Sequence, residues 1–437
     1  MFQRLFVALF ITFLSQNVSF YSQRYLFAQN IASKLDIASM SKQDSASITR
    51  QKRNRILPDK LIVGYANWNQ CDQQLVRAVE QGVNVLIWFA INLAVDSEGK
   101  PTITNGPDLT CVRDIIAQIK AKNLHTVHLI SIGGWNSPHP DTTNTVEKVY
   151  ENWVKWNNDT FDGFDWDIEG NDDITSPYNT FTQPCLDLMG RMSQLAKKDG
   201  FIVAMAPAES YLDPTTPAFD LSLSHNYPEW TITHPTFLYH GHNVYAYLLI
   251  KYGSTNTSNV CSDRESGAQV EVVLVDTFDF VTIQLYEGYS HAEYNTSVLG
   301  EAPESYLVRF ARSVYAGWDL QIPNLYLRNQ HIAVDSCTET EPLSNMEESK
   351  LSTIVRVSVA PNRLVIGLAN GWAGDGKFLL IYPDKVKAAH LALQSEGLAP
   401  RGYAFWNIKD EGIASVRNPD IPVWMASGLN DFLHILK

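Results

Sequence analysis

The chain has 437 residues, enough for one large domain or two ordinary ones, and 45% of them are hydrophobic, so a large core can be buried. The formal net charge of −13 argues against nucleic acid or an anionic membrane as partner, because both are bound through basic patches. A neutral sugar polymer is compatible with that charge, and so is an acidic surface that only confers solubility.

The N-terminus comes first. Arg4 is the sole charge before the apolar run Leu5 to Leu14, and polar residues follow. The run is shorter than the ~20 residues a bilayer requires and matches the apolar region of a secretory signal. Residues 1–22 are therefore read as a signal peptide, the alternative being a buried N-terminal helix. That reading makes the protein secreted, either extracellular or in the lumen of the secretory pathway or a vacuole, with no membrane attachment after signal removal. Residues 23–57, rich in Ser, Gln and Lys, read as a polar linker or propeptide. Within them Arg50-Gln51-Lys52-Arg53 is either a dibasic processing site or a solvated charge run.

The five cysteines, Cys71, Cys111, Cys185, Cys261 and Cys337, contain no CxxC pair, which speaks against a zinc or redox motif. In an oxidising compartment up to two disulfides form and one thiol is left over. Asn158, Asn256 and Asn295 each open an N-x-Ser/Thr triplet, the acceptor pattern for a glycan.

From Lys60 onward apolar strands alternate with amphipathic helices. The strands are predicted at Leu61–Ala66, Val85–Ile91, Val127–Ile132, Gly163–Ile168, Ile202–Ala206, Phe280–Leu285, Leu364–Leu368 and Gly402–Trp406. The helices are predicted at Cys71–Glu80, Val112–Lys122, Val146–Trp156, Thr182–Ala196, Ser305–Tyr315, Lys385–Ser395 and Pro422–Leu436. Nearly continuous apolar strands suit a parallel sheet covered on its outer side. Strand–helix units repeated in this way predict an α/β fold, a (β/α)8 TIM barrel forming one catalytic domain over residues 58–437; an open doubly wound sheet is the alternative. Two connections, 210–279 and 288–362, exceed the usual length and are aromatic-rich, with Tyr211, Tyr227, Trp230, Tyr239, Tyr245, Tyr289, Tyr294 and Trp318. Long loops at the mouth of a barrel usually build its site.

The fourth strand carries Asp162-Gly163-Phe164-Asp165-Trp166-Asp167-Ile168-Glu169. Strand side chains alternate faces, so Asp165, Asp167 and Glu169 share one face and Asp162 takes the other. The apolar set Phe164, Trp166 and Ile168 packs outward, which leaves the three acids inside the barrel. Clustered carboxyls raise at least one pKa, which suits acid catalysis near neutral pH. Glu169, last on the strand and nearest the mouth, is the general acid of this reading. Asp167 orients and stabilises charge, and Asp165 shares a proton with it. A hard metal such as calcium or magnesium is the competing use of such a row. Further oxygen ligands at suitable spacing are not evident, so no metal and no cofactor is expected.

These residues resemble a known family. The segment 162–169 matches the family 18 glycoside hydrolase signature DGxDxDxE at each fixed position, and Ser131-Ile132-Gly133-Gly134-Trp135 looks like its SxGG motif. The resemblance extends from about Lys60 to the C-terminus. It implies a retaining mechanism in which the carbonyl oxygen of the substrate's own N-acetyl group is the nucleophile and Glu169 serves as acid, then base. Asp167 then bonds the acetamido N–H, Asp165 tunes Asp167, and Tyr286, in Gln284-Leu285-Tyr286, donates to the acetamido oxygen. Trp406 becomes the floor beneath the reacting sugar. Gln284, Tyr65, Met205, Gly134, Trp135 and Glu287 are expected to contact substrate; Glu287 stands where many relatives carry Asp or Asn. Glu209 either reaches the cleft or is a surface residue.

Larger members of that family carry an α+β insertion between strands seven and eight; here Asn370 to Arg401 leaves room for only a loop and one helix, so the resemblance is to the compact type and implies an open cleft and mid-chain cutting. The substrate implied is chitin or an N-acetylglucosamine-containing oligosaccharide, and a monomer is expected. Two alternatives stay open: an endo-β-N-acetylglucosaminidase acting on N-glycans, and a non-catalytic lectin on the same barrel.

Overall fold

The computed structural model describes residues 56–225, 230, 240–253, 270–273, 277–327 and 352–435. The signal segment, most of the polar linker including Arg53, the Asn256 triplet, Tyr227, Tyr239, Cys261 and Cys337 lie outside the described residues.

Eight parallel strands form the barrel: β1 Leu61–Tyr65, β2 Val85–Val95, β3 Val127–Gly133, β4 Gly163–Asp167, β5 Ile202–Met205, β6 Phe280–Gln284, β7 Leu364–Ala369 and β8 Gly402–Trp406. They pair in chain order, and β1 pairs with both β2 and β8, which closes the cylinder. Closure removes the exposed edges that an open sheet would leave, and it decides between the barrel and the doubly wound alternative. One helix follows each strand: α1 Gln73–Glu80, α2 Leu109–Ala121, α3 Val146–Asn157, α4 Gln183–Lys198, α5 Ala246–Tyr252, α6 Pro303–Ala316, α7 Pro383–Ser395 and α8 Met425–Leu433. The starts of α1, α2 and α4 are fixed by Asp72, Asp108 and Thr182, whose side chains accept from backbone N–H groups of the first turn.

Strand alternation divides the core. Outward residues such as Ile62, Phe164, Trp166, Val203 and Ile283 pack against the helices. Inward residues Leu61, Val63, Val85, Ile87, Val127, Leu129, Ile202 and Phe280 fill the lower barrel with an apolar plug. Each such side chain contributes ~1.5–3 kcal/mol on burial.

The structure adds elements where the sequence pattern is weak. β2 runs four residues beyond the predicted Ile91 and turns into an antiparallel partner at Pro101–Asn105. A second sheet joins Trp318–Pro323, Ser352–Ser358 and Val270–Val273, drawing strands from both long connections. Those connections also pack on each other, with Trp230 edge-on to Tyr289 and Tyr294. Residues 370–401 hold a loop and α7. Cys71, just before α1, and Cys111, in the first turn of α2, form a disulfide, and Cys185 is a buried thiol.

Candidate active site

The site begins with the outward face of β4. Phe164 and Trp166 are fully buried, and the Trp166 indole N–H donates to Ser193 Oγ on α4 at 2.8 Å. This anchorage fixes the rotation of the strand, so Asp165 and Asp167 point into the barrel. Asp162 faces away; its carboxylate accepts the backbone N–H of His128 at 3.0 Å.

The end of the strand is held by its main chain. Gly134 N donates to Asp167 O at 2.5 Å, and a Cβ on Gly133 would lie 2.5 Å from that same oxygen. Only glycine allows this approach, and both glycines have positive φ, 109° and 99°. One residue on, the Tyr245 hydroxyl accepts from Ile168 N at 2.8 Å and donates to Ile168 O at 3.0 Å. His139 Nε2 lies 3.0 Å from Glu169 O. Burial depresses the imidazole to about 4, so it is neutral, and an accepting carbonyl requires the proton on Nε2.

The three acids form a graded row. Deepest is Asp165, fully buried, accepting from Tyr65 Oη at 3.0 Å. Burial pushes its pKa well up and the Asp167 charge adds to that, with the tyrosine bond opposing. Next is Asp167, whose carboxylate accepts from Gln284 Nε2 at 2.7 Å. Burial raises it too, against bonds from Glu169 and Gln284. Glu169, partly exposed, is raised well above its ordinary value by burial, then by the charge and hydrogen bond of Asp167 and by the charge of Glu287. The charge and the hydrogen bond of Asp167 both favour the protonated form of Glu169, at the mouth end of the row. A protonated acid at the mouth, backed by two buried carboxyls, is a proton donor in waiting.

The expected contacts divide in two. Trp406, Trp135, Tyr286 and Glu287 are partly exposed around the row. Trp406 lies edge-on to Phe89 at 4.5 Å, and its carbonyl accepts from Trp372 Nε1 at 2.6 Å. The indole of Trp135 donates to Asp172 at 3.0 Å. Tyr286 is close enough to all three acids for their charges to raise it, after burial. Glu287 accepts from Ser210 N at 3.0 Å and from Ser210 Oγ at 2.7 Å.

The other four are buried. Met205 is fully buried in the layer between barrel and helices, because it pairs with outward-facing Trp166; Ile202 and Ala204 are the inward residues of β5. Tyr65 is 2% exposed and its hydroxyl is engaged by Asp165, so it positions an acid. Gln284 Nε2 serves Asp167 and Ala206 O, at 2.7 and 2.6 Å, which occupies both amide hydrogens. Gly134 is buried against Phe89 and Trp68 and contributes backbone only. Glu209 also fails to reach the cleft: it is 1% exposed and binds Ala292 N at 3.0 Å and the Tyr306 hydroxyl.

Tyr245, His139, Ser210 and Trp372 were not foreseen in these roles. Tyr245 stood out only as one aromatic among many in a long connection. The others belong to no pattern, since proximity in space alone brings them to the site. Among the described residues no group of His, Cys, Asp and Glu side chains is arranged to hold a metal ion.

No protein-family model and no curated protein matches the chain. Solved structures resemble it at a distance. A GH18 chitinase from Chromobacterium violaceum is 18% identical over 80% of this chain and 79% of its own, with a TM-score of 0.46. The C-terminal domain of Legionella pneumophila ChiA is 13% identical over 80% and 93%, with a TM-score of 0.46. A fungal endo-β-N-acetylglucosaminidase of glycosyl hydrolase family 18 is 13% identical over 87% and 99%, with a TM-score of 0.44. At such distances the chemistry of the site stands on its own residues, and those residues sit in a closed (β/α)8 barrel whose fourth strand resembles the family 18 glycoside hydrolases.

Proposed function

We propose that the protein is a secreted retaining glycosidase that cleaves β-1,4 bonds in chitin or chitooligosaccharides. The observation that carries this reading is the row Asp165, Asp167, Glu169, two buried carboxyls backing a partly exposed third at the mouth of the barrel.

In this reaction Glu169 gives its proton to the glycosidic oxygen as the bond to the anomeric carbon breaks. The acetamido carbonyl oxygen of the same sugar bonds to that carbon, forming an oxazolinium ion. Asp167, steadied by Gln284, accepts the acetamido N–H and offsets the positive charge. Tyr286 supplies a hydroxyl to the acetamido group, and Trp406 an apolar floor. Water then adds to the anomeric carbon, giving its proton to Glu169 and releasing the acetamido oxygen. Two inversions leave the configuration retained. Glu287 has both oxygens bonded to Ser210, which favours the substrate's own carbonyl over Glu287 as nucleophile.

Secretion is supported by the apolar run near the N-terminus and by the Cys71–Cys111 bond, which suits an oxidising compartment. The test is chitohexaose against its fully deacetylated counterpart, with product anomers followed by NMR. Cleavage of the acetylated chain alone, with the β anomer appearing first, is expected. Equal cleavage of the deacetylated chain would sink substrate assistance. Cleavage confined to a high-mannose glycopeptide would move the substrate to N-glycans.

A further inference from the structure

Beyond the row of acids, one segment shows more apolar surface than its position explains. After β8 the chain forms a hairpin, with Ala414–Ser415 paired to Asn418–Pro422, before entering α8. Ile413, Val416, Ile421 and Trp424 are 46%, 79%, 52% and 46% exposed. Single exposed apolar residues are ordinary, but four within twelve positions concentrate apolar surface on this hairpin.

The patch lies on the face of the barrel that holds the acids, since it falls between the C-terminal end of β8 and the start of the returning helix. It joins the cleft through packed backbone. A Cβ on Gly371 would lie 1.8 Å from Ile413 O, so the loop after β7 abuts the hairpin. The next residue, Trp372, bonds the Trp406 carbonyl and lies 6.2 Å from Tyr286 between ring centroids.

Trp424 is also held rigidly. Gly412 N donates to Val423 O at 2.8 Å, and Val423 N to Ile413 O at 3.1 Å. The Glu411 carboxylate accepts from Met425 N and Ala426 N at 3.0 to 3.1 Å, fixing the chain just after the tryptophan. Its ring rests on Gly412, where a Cβ would come within 2.6 Å of two indole carbons. An indole so placed offers a flat apolar face at little cost in side-chain entropy. Sugars in a β-1,4-linked chain present apolar faces of C–H groups to such a ring.

We infer that Trp424 is an outer sugar-binding platform, taking up the part of a neutral N-acetylglucosamine chain that extends beyond the cleft. This rests on the glycosidase reading above. The hairpin's continuity with the Trp372–Trp406 wall favours a carbohydrate occupant over a separate protein partner.

The experiment compares wild type, Trp424→Ala and Trp424→Tyr on a chromogenic chitobioside and on colloidal chitin. Folding is checked by thermal melting. The alanine variant should raise half-saturation on chitin roughly 2- to 10-fold, the range one aromatic stacking contact supplies. Its kinetics on the chitobioside should stay unchanged, and Trp424→Tyr should recover most of the loss. Equal half-saturation for wild type and Trp424→Ala on chitin would overturn the platform, as would an equal loss on both substrates. Trp424→Leu, apolar but without a flat ring, should show the same loss on chitin and supplies the comparison if the alanine variant does not fold. If wild type cleaves neither substrate, the glycosidase reading itself has failed, an outcome distinct from a length-independent Trp424→Ala.

Discussion

The lower and upper halves of the barrel interior come from the same strands and have opposite chemistry. Below, Leu129, Ile202, Ile87 and Phe280 pack into an apolar plug. Above, the same β4 that starts with a buried glycine presents two carboxyls that burial makes costly to ionise. Asp165 Oδ1 and, opposite it in register, Ser131 Oγ have no hydrogen-bond partner. The lower half stores stability, and the upper half spends some of it to keep protons where acid chemistry needs them.

The sharpest break between the halves is Glu169→Gln. Turnover should fall by roughly 10²- to 10⁴-fold, the range of a lost general acid, while the melting temperature and ligand binding hold. In wild type the activity should decline on the alkaline side, as Glu169, whose pKa burial raises, loses its proton. A variant with full turnover would remove Glu169 from the mechanism.

Ile87→Ala tests the opposite half. A fully buried side chain is truncated, so denaturant melts should show a loss of about 2–5 kcal/mol. KM should change little, because Ile87 reaches the site only through its register partner Tyr65. A changed KM with unchanged stability would mean the halves are not separable.

Asp165→Asn gives the smallest effect and the finest test. The folded pKa of Asp165 is raised, so this carboxyl favours folding most below its unfolded value of about 3.9, and that contribution is lost as pH rises above it. Asparagine does not titrate. The melting temperature of the variant, relative to wild type, should therefore climb from pH 4 to neutral. A difference that stays constant with pH would show that Asp165 is not raised.

The two halves were also unequally legible. All eight strands announce themselves as apolar runs, because strands covered on both sides need little else. The acids were legible too: period two gives their shared face, and the apolar set opposite gives its direction. Met205 shows the limit. Its strand is apolar on both faces, so alternation alone does not say which face is inward; pairing with Trp166 does. The three-stranded second sheet escaped because its strands are short and join residues such as Val355 and Val270 across a long stretch of chain. Tyr245 and His139 escaped for a related reason, as their partners are backbone atoms of Ile168 and Glu169, which leave no trace in side-chain pattern.

Those two backbone contacts carry one more consequence. The peptide groups before and after the Glu169 side chain are secured by Tyr245, His139 and Gly134, so the cup keeps its shape whatever side chain stands at position 169. Under the proposed reaction, exchange of the acid for a neutral residue would turn cutting into holding in a single step, with the mould intact. In such a molecule the boundary between enzyme and receptor is one proton wide.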